Sequence, residues 1–205
     1  MKKSANIFFV GRLILAVAVV VTVSILLTGC GERFVPKPYG YYRIDLPEHR
    51  YQAFEAADYP YSFTYSRAAK IEKRAGEADE QYWLDVYYPA LNARIHCSYK
   101  PVAGNLRELS ADAQDFVFKH AGKATAIPEQ GYENPEARVY GVYYELKGNT
   151  ASPYQFYLTD SLRHFFRAAV YFNCQPNQDS LAPVIDYLQA DVQTMVETFE
   201  WKIDN

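Results

Sequence analysis

Residues 82–99 read YWLDVYYPALNARIHCSY, and this stretch decides the class of fold. Its first part, residues 82–88, is dominated by aromatic and aliphatic side chains, which β-strands favour. Its last part, residues 91–99, places apolar side chains at every second position: Leu91, Ala93, Ile95 and Cys97. Because Pro89 and Ala90 separate the two parts at a short turn, the stretch predicts an antiparallel β-hairpin.

Strand patterns recur along the rest of the chain. Residues 61–65, YSFTY, alternate aromatic with small polar side chains, as a half-buried strand does. Three more strands are predicted in series, over residues 138–147, 154–159 and 164–174. Gly-Asn and Asp-Ser pairs lie between them, and short turns of this kind join antiparallel neighbours. The three segments therefore predict an antiparallel meander.

The first predicted helix runs from Asn105 to about Gly122. Asn105 is its predicted N-cap, Glu108 the capping-box partner, and Gly122 the C-terminal stop. One apolar stripe at helical spacing supports it: Leu106, Leu109, Ala113, Phe116 and Val117. Residues 66–80, in contrast, are polar and charged, and they predict a solvated loop or a loose helical turn.

The second helix is predicted from about Leu181 to Thr198. Asp179 or Ser180 would cap it, and Pro183 would fall in its first turn, where proline is tolerated. The order of strands, helix, strands and helix, joined by hairpins, predicts an α+β fold in which two main helices flank an antiparallel β-sheet. This layout resembles the sandwich of the PsbP and Mog1 families, in which a closing helix runs into a short Phe-containing tail.

Composition excludes two classes of protein. The 205 residues carry 21 Lys+Arg against 24 Asp+Glu, a formal net charge of −3, without the positive excess of a nucleic-acid-binding domain. Hydrophobic residues make up 49% and charged residues 22%, which excludes a disordered chain. The 19 Tyr, 12 Phe and 2 Trp fall mainly on the predicted strands, so we expect them in one antiparallel sheet.

The amino terminus resembles a bacterial lipoprotein signal peptide. Residues 13–27 carry no charge, and they end in Leu27-Thr28-Gly29-Cys30, an apolar residue and two small residues before a cysteine, as in a lipobox. We therefore expect cleavage before Cys30 and attachment of acyl chains, such as palmitate, to this residue. The alternative is an uncleaved membrane anchor that reaches back to Ile7, a span that Arg12 interrupts.

Cleavage would divide the chain into a signal peptide (1–29), a lipid anchor with a Pro-containing tether (30–40) and one globular α+β domain (41–205). It would remove three positive charges, so the formal net charge would fall from −3 to −6. Gly31 stands where the commonest inner-membrane retention signal has Asp, which favours the outer membrane. A single acidic residue follows closely after the cysteine, which favours a periplasmic face. We therefore expect a lipid-anchored protein of the cell envelope.

No pattern for catalysis, cofactor binding or metal binding is present in the sequence. His49, His96, His120 and His164 lie outside metal-ligand spacing of one another, and no Gly-x-Ser-x-Gly elbow occurs. The sequence therefore predicts a protein that is not an enzyme and holds no cofactor or metal. An envelope hydrolase is kept as an alternative, and it would need a deep polar pocket around His96 or His164.

Two thiols remain once Cys30 is lipidated. Cys97 and Cys174 would lie in an oxidising compartment, and both are in phase with apolar strand positions. A disulfide between them and two buried free thiols are both open, because the distance between two strands cannot be read from sequence.

Two tripeptides resemble an O-glycan acceptor used on bacterial envelope proteins. They are Asp160-Ser161-Leu162 and Asp179-Ser180-Leu181, and they would place glycans on Ser161 and Ser180. The alternative is structural: the first tripeptide would be a hairpin turn and the second a helix N-cap.

Segments between residues 36 and 201 carry one family resemblance. They include PKPYGYYRIDLP at 36–47, YPYSF at 59–63, ARIHCSYKP at 93–101, GNTAS at 148–152, LTDS at 158–161, DSLAPV at 179–184 and ETFEW at 197–201. Together they resemble the gliding-motility lipoproteins of the GldD family, over nearly all of the mature chain. That family has aliphatic residues where Cys97 and Cys174 stand, so a disulfide would not be a family trait.

The resemblance implies an envelope lipoprotein needed for gliding and for type IX secretion, which delivers adhesins. It implies other envelope proteins of that machinery as partners, and membrane contact through lipidated Cys30. We therefore expect a non-enzymatic assembly or interaction component. The alternative is a periplasmic ligand- or peptide-binding domain whose groove is an aromatic sheet face, lined by Tyr41, Tyr42, Tyr87 and Tyr143.

Overall fold

The computed structural model describes residues 17, 19, 44–74, 80–174 and 177–202. The chain divides into two compact units, Met1–Gly40 and Tyr41–Asn205. In the first unit, Val17 and Val19 are described, and both are helical and exposed. Within these ranges no helix has both the length and the apolar character needed to cross a membrane.

Twelve strands and two helices are described in the second unit. In chain order they are β1 (Tyr51–Phe54), β2 (Tyr61–Ser66), β3 (Lys70–Lys73), β4 (Leu84–Tyr88), β5 (Ala93–Pro101), α1 (Leu106–Phe118), β6 (Ala124–Ala126), β7 (Glu129–Asn134), β8 (Val139–Glu145), β9 (Lys147–Gly148), β10 (Tyr154–Thr159), β11 (His164–Phe172), α2 (Gln178–Glu197) and β12 (Glu200–Trp201). Because all strand pairs are antiparallel, the architecture is α+β, as predicted.

Seven of these strands form the main sheet, in the spatial order β3-β4-β5-β11-β10-β8-β7. β4 and β5 pair with Val86 opposite Ile95, which confirms the predicted hairpin, and a 3₁₀ turn (Pro89–Leu91) joins them. β8, β10 and β11 are neighbours in this order, which confirms the predicted meander. The long alternating strands therefore occupy the middle of the sheet.

The aromatic residues are divided between sheets, so the prediction of one sheet is wrong. β1, β2 and β12 form a separate three-stranded sheet, and β6 pairs with β9. Tyr61 and Phe63 belong to β2, whose neighbours are β1 and the last strand of the chain. A local sequence pattern identifies a strand but carries no information about which distant strand it pairs with, so this division could not be predicted.

The two faces of the main sheet are covered differently. One face carries Phe156, Ala168 and Cys97, which are neighbours in register, and it packs against α2 and the three-stranded sheet; we call it the core face. The other face carries Ser98 and Arg167, also neighbours in register, and α1 covers part of it; we call it the α1 face. The main hydrophobic core therefore lies on one side of the sheet.

Stacked aromatic rings join the layers of the core. The ring centre of Phe166, on β11, lies 4.9 Å from that of Tyr61 and 4.8 Å from that of Phe199. All three side chains are fully or almost fully buried. Edge-to-face and tilted ring pairs at such distances contribute beyond their buried area, so this cluster fastens the main sheet to the three-stranded sheet.

α1 begins directly after Asn105, as predicted, but its cap and its end differ from the prediction, and so does the start of α2. Asn105 precedes α1, but its Oδ1 accepts a hydrogen bond from the Ala103 N–H (2.9 Å) and not from the helix, so the capping box is wrong. The helix ends at Phe118, before Gly122. α2 begins at Gln178, because the Asn177 side chain accepts a hydrogen bond from Ser180 N–H and is the N-cap.

Two strands of the main sheet were not predicted. Lys70–Lys73 forms β3 inside the segment interpreted as a loop, which corrects that interpretation. Glu129–Asn134 forms β7 where no element was predicted. Both are edge strands with few buried side chains, so they lack the apolar alternation that reveals interior strands.

Gly141 allows β8 and β10 to approach closely. A Cβ atom built at this position would lie 1.9 Å from the carbonyl oxygen of Tyr157, far inside contact distance. Leu158, the residue opposite Gly141, supplies the next nearest atom. Glycine at this position is therefore a packing requirement of the sheet.

Candidate functional site

The lipid-attachment residue and the two thiols have separate positions. Cys30 lies outside the described residues, as do Tyr41 and Tyr42. Cys97 is buried and Cys174 is exposed, and both are free thiols. Cys97 pairs with Ala168 on β11, and from there β11 runs about 13 Å further before it ends at Phe172. This length is well beyond the ~7 Å that separates the Cα atoms of two bridged cysteines. The prediction that Cys174 faces an apolar side is wrong, because it follows the end of the strand.

The two serines of the acceptor-like tripeptides lie in structural turns. Ser161 is exposed in the turn between β10 and β11, with φ at 68°. Asp160 holds that turn through its Oδ1, which accepts backbone hydrogen bonds from residues 162, 163 and 164. Burial acts to raise the pKa of Asp160, but these backbone bonds outweigh it and the pKa is lowered. Ser180 is half-buried in the first turn of α2.

Each of the four histidines contacts a polar side chain. His49 and His96 lie 2.8 Å from carboxylate oxygens of Asp191 and Asp85. His164 and His120 contact the hydroxyls of Tyr99 (2.8 Å) and Tyr171 (3.3 Å). The part of the chain that the structure describes contains no group of three potential metal ligands.

His96 and His164, the two histidines of the hydrolase alternative, have different surroundings. His164 is buried and stacks on Trp201, with ring centres 5.1 Å apart. His96 lines a cavity of about 260 Å³ on the α1 face. Ser98 lines the same cavity, but its hydroxyl donates to the carbonyl oxygen of Arg167 (3.3 Å).

The outer edge of β7 is the longest open strand edge of the main sheet. Glu145 N–H donates to the carbonyl oxygen of Pro128 (3.0 Å), and the pairing continues in regular register along β7 and β8. Because bonded and non-bonded pairs alternate in antiparallel sheets, Gln130, Tyr132 and Asn134 bond to β8. The backbone groups of Glu129, Gly131 and Glu133 therefore point outward, where no described strand pairs with them.

A groove runs beside this edge, between β7 and α2. Its volume is about 240 Å³, and it is lined on the sheet side by Gln130, Tyr132 and Tyr143 and on the helix side by Gln189, Gln193 and Val196. The Tyr143 hydroxyl is buried at the groove and has no hydrogen-bond partner among the described residues. Burial raises the pKa of Tyr143, so this hydroxyl stays protonated as a donor. The groove therefore places the buried Tyr143 hydroxyl, which lacks a hydrogen-bond partner among the described residues, beside the open edge of β7.

The edge and its groove are acidic. Glu129, Glu145 and Glu197 line the groove, and Glu133 lies further along the edge strand. Lys147 is 3.7 Å from Glu145, and among the described residues no ion pair neutralises the other three carboxylates. An extended segment with basic side chains is the chemical complement of this surface.

The tyrosines of the predicted aromatic groove do not share a face. Tyr87 pairs with Arg94 on the α1 face, and its ring lies 4.1 Å from the Arg94 guanidinium. Tyr143 pairs with Phe156 on the core face. The prediction of a groove lined by both residues is therefore wrong. The sequence shows the alternation of side chains within each strand, but it does not show the register across the five strands from β4 to β8.

Comparison with protein families decides the identity of the chain. The model of the family described as gliding motility lipoprotein GldD matches residues 31–201. The chain belongs to the GldD family. It is therefore a gliding-motility lipoprotein associated with the cell envelope, as the resemblance implied. The match begins at the residue that follows Cys30, the predicted attachment residue.

Two further comparisons concern this GldD-family chain. Comparison with curated proteins found no match. Among solved structures, the chain is similar to cyanobacterial PsbP (CyanoP) from Synechocystis sp. PCC 6803, with 9% sequence identity and a TM-score of 0.44. The similarity covers 77% of this chain and 95% of that chain.

Proposed function

We propose that this protein is a non-enzymatic assembly component of the gliding-motility and type IX secretion machinery. In this proposal acylated Cys30 anchors the domain to the periplasmic face of the outer membrane. Family membership and the order of residues around the lipobox support the anchor. The open edge of β7 supports the interaction role.

The observation that carries the proposal is the outward-facing backbone of Glu129, Gly131 and Glu133. Unpaired N–H and C=O groups on a sheet edge are a template for another strand. We expect the occupant to be an extended segment of another envelope protein that adds as an eighth strand. Its basic side chains would face Glu129 and Glu133, and a backbone or side-chain acceptor would reach the Tyr143 hydroxyl.

Proline at position 131 tests this role. Gly131→Pro removes an outward N–H and leaves the bonds between β7 and β8 intact, because position 131 lies in a non-bonded pair. Nothing lies within 4 Å of a Cβ atom built at this position, so a side chain can begin there without a clash. Loss of one backbone bond and the bulk of the ring should weaken strand addition about 10- to 100-fold.

The experiment replaces the chromosomal copy with Gly131→Pro or with the matched control Gly131→Ala, which keeps the N–H. We expect the proline variant to lose adhesin secretion and surface spreading while its level by immunoblotting stays normal. We expect the alanine variant to behave like the wild type. Normal secretion and spreading with the proline variant would contradict the proposal, and so would equal defects in both variants.

A further inference from the structure

A second cavity, on the α1 face, has the opposite character to the groove beside β7. It has a volume of about 260 Å³ and lies between β5, β11 and α1. Its lining combines three aromatic rings with basic side chains: Trp83, Phe116, Phe165, Lys100, Arg74 and Arg167. We call this cavity the Arg167 pocket, because Arg167 is the least exposed of its basic residues.

All described partners of Arg167 are neutral. Its Nη2 donates to the Gln155 side-chain oxygen at 2.6 Å, and its guanidinium lies 4.6 Å from the ring centre of Phe116. The side chain of Tyr171 also interacts with it. In the described ranges no carboxylate lies within ion-pair distance of Arg167. A half-buried cation is thus left without a counter-charge.

Arg94 shows what a neutralised arginine looks like on the same face. It lies four residues from Ser98 on the same strand and is half-buried, as Arg167 is. Its Nη1 lies 2.5 Å from a Glu72 oxygen and 3.3 Å from an Asp85 oxygen. The fold therefore supplies two carboxylates to one arginine of this face and none to the other.

The uncompensated charge of Arg167 affects its surroundings. Burial lowers the pKa of Arg167, because the charged form loses water without gaining an anion. Burial, and then the charge of Arg167, lower the pKa of His120. A planar guanidinium offers paired N–H donors that match the two oxygens of a carboxylate. An anion in the pocket would thus offset a cost that the folded protein now carries.

We propose that the Arg167 pocket binds a small organic carboxylate. Its two oxygens lie on the guanidinium of Arg167, with Lys100 at the rim, and its apolar body packs against Phe116 and Phe165. Asp112 also lines the pocket and is exposed, so a second negative charge on the ligand is disfavoured. The pocket therefore favours a monocarboxylate with one ring or a short aliphatic chain over a phosphate dianion.

The full-length lipoprotein in detergent is titrated by calorimetry with three probes of the same size. They are 3-phenylpropionate, its neutral amide and phenyl phosphate. We expect the carboxylate to bind at least about tenfold more tightly than the amide, since a charge-assisted bond to arginine contributes more than a neutral one. Phenyl phosphate should bind more weakly than the carboxylate. Trp83, in the lining, supplies a fluorescence readout of the same event.

Two arginine variants form the matched test. Arg167→Met keeps an apolar stem but removes the charge, and it should weaken carboxylate binding about tenfold or more. Arg94→Met removes a cation that already has its own carboxylates, and it should leave binding within about twofold of the wild type. Arg167→Lys keeps the charge without the fork, and it gives a folded comparison if the methionine variant is unstable.

Three results would overturn the proposal. The first is equal binding of 3-phenylpropionate and its amide, which would mean that no cation is involved. The second is equal loss of binding in the Arg167 and Arg94 variants. The third is no detectable binding of the carboxylate at about 10 mM, an affinity too weak for a site. None of these results bears on the edge of β7, so this proposal and the proposed function can fail separately.

Discussion

The two edges of the main sheet are built in different ways. β3 has four residues, and two of its three charged side chains are engaged: Glu72 with Arg94 at 2.5 Å and Lys73 with Asp58 at 3.0 Å. The Lys73 ammonium also lies 5.1 Å from the ring centre of Tyr59. β7 has six residues with a glycine near its middle, and no ion pair is described for Glu129 or Glu133.

The difference shows how a sheet can protect one edge and leave the other available. Short length and charged side chains on an edge, lysine above all, discourage the addition of another strand. β3 has both properties, whereas β7 presents three residues with outward backbone groups beside an acidic groove. We therefore interpret β3 as the closed edge and β7 as the edge at which a partner adds.

The largest expected effect comes from removing the support of the β7 edge. β7 is held to the main sheet through β8, and β8 approaches β10 at Gly141. Gly141→Ala places a methyl group against the Tyr157 carbonyl, and it should lower the free energy of unfolding by about 3 kcal/mol. Urea denaturation measures this change. Gly131→Ala, in open space on β7, is the control and should change stability by less than about 0.5 kcal/mol.

An acid-dependent effect of intermediate size is expected in the turn between β10 and β11. The folded-state pKa of Asp160 lies below its ordinary value of 3.8, so its carboxylate stabilises the folded state above about pH 4. This contribution, about 1 kcal/mol for a partly exposed group, is lost as the pH falls through the folded-state pKa.

Asp160→Asn separates this effect from loss of the turn. The asparagine oxygen still accepts the three backbone bonds, so we expect the turn to persist with lower stability at pH 7 and a flatter stability curve in the interval below about pH 4. Thermal unfolding at several pH values measures this. If the wild type and the variant lost stability in parallel over that interval, Asp160 would not be the titrating group.

The smallest expected effect on stability compares proline on each edge directly. Arg74 N–H donates to the Trp83 carbonyl oxygen, so by alternation Lys73 has an outward N–H, as Gly131 does. Gly131→Pro should cost less than about 1 kcal/mol, because no ladder bond is lost. Lys73→Pro likewise keeps the ladder but also removes the ion pair with Asp58, so in urea denaturation it should cost at least as much as Gly131→Pro. A large loss of stability with Gly131→Pro would show that its N–H is used inside the fold.

The interior of the fold could be predicted from sequence, and its edges could not. The β4–β5 hairpin and the β8, β10 and β11 meander have alternating apolar side chains because they face the core. β3 and β7 have few buried side chains, so their sequences look like loops. Asn105 stands at the N-cap position, as predicted, but its side chain accepts a hydrogen bond from Ala103, because sequence does not reveal which nearby N–H a capping side chain accepts from.

Sequence does not identify the residues on which the two proposals rest, for the same reason. Cys30 follows from a local motif, but the role of Gly131 depends on the register of β7 with β8 and on its place at the end of the sheet. The sequence predicts that Tyr143 and Tyr87 share one aromatic face. They lie on opposite faces because of the register across the five strands from β4 to β8, and a local pattern does not contain that register. Arg167 gave no signal, since the absence of a carboxylate near it is a property of the packed structure.

Site-specific photocrosslinking in cells tests the central claim most directly. A photoreactive amino acid replaces Glu133 on β7 in one strain and Lys70 on β3 in another. We predict a crosslink from β7 to one other envelope protein, its loss when Gly131→Pro is added, its retention with Gly131→Ala, and none from β3. A β7 crosslink that survives Gly131→Pro, or equal crosslinking from both edges, would contradict the claim that β7 is the docking edge.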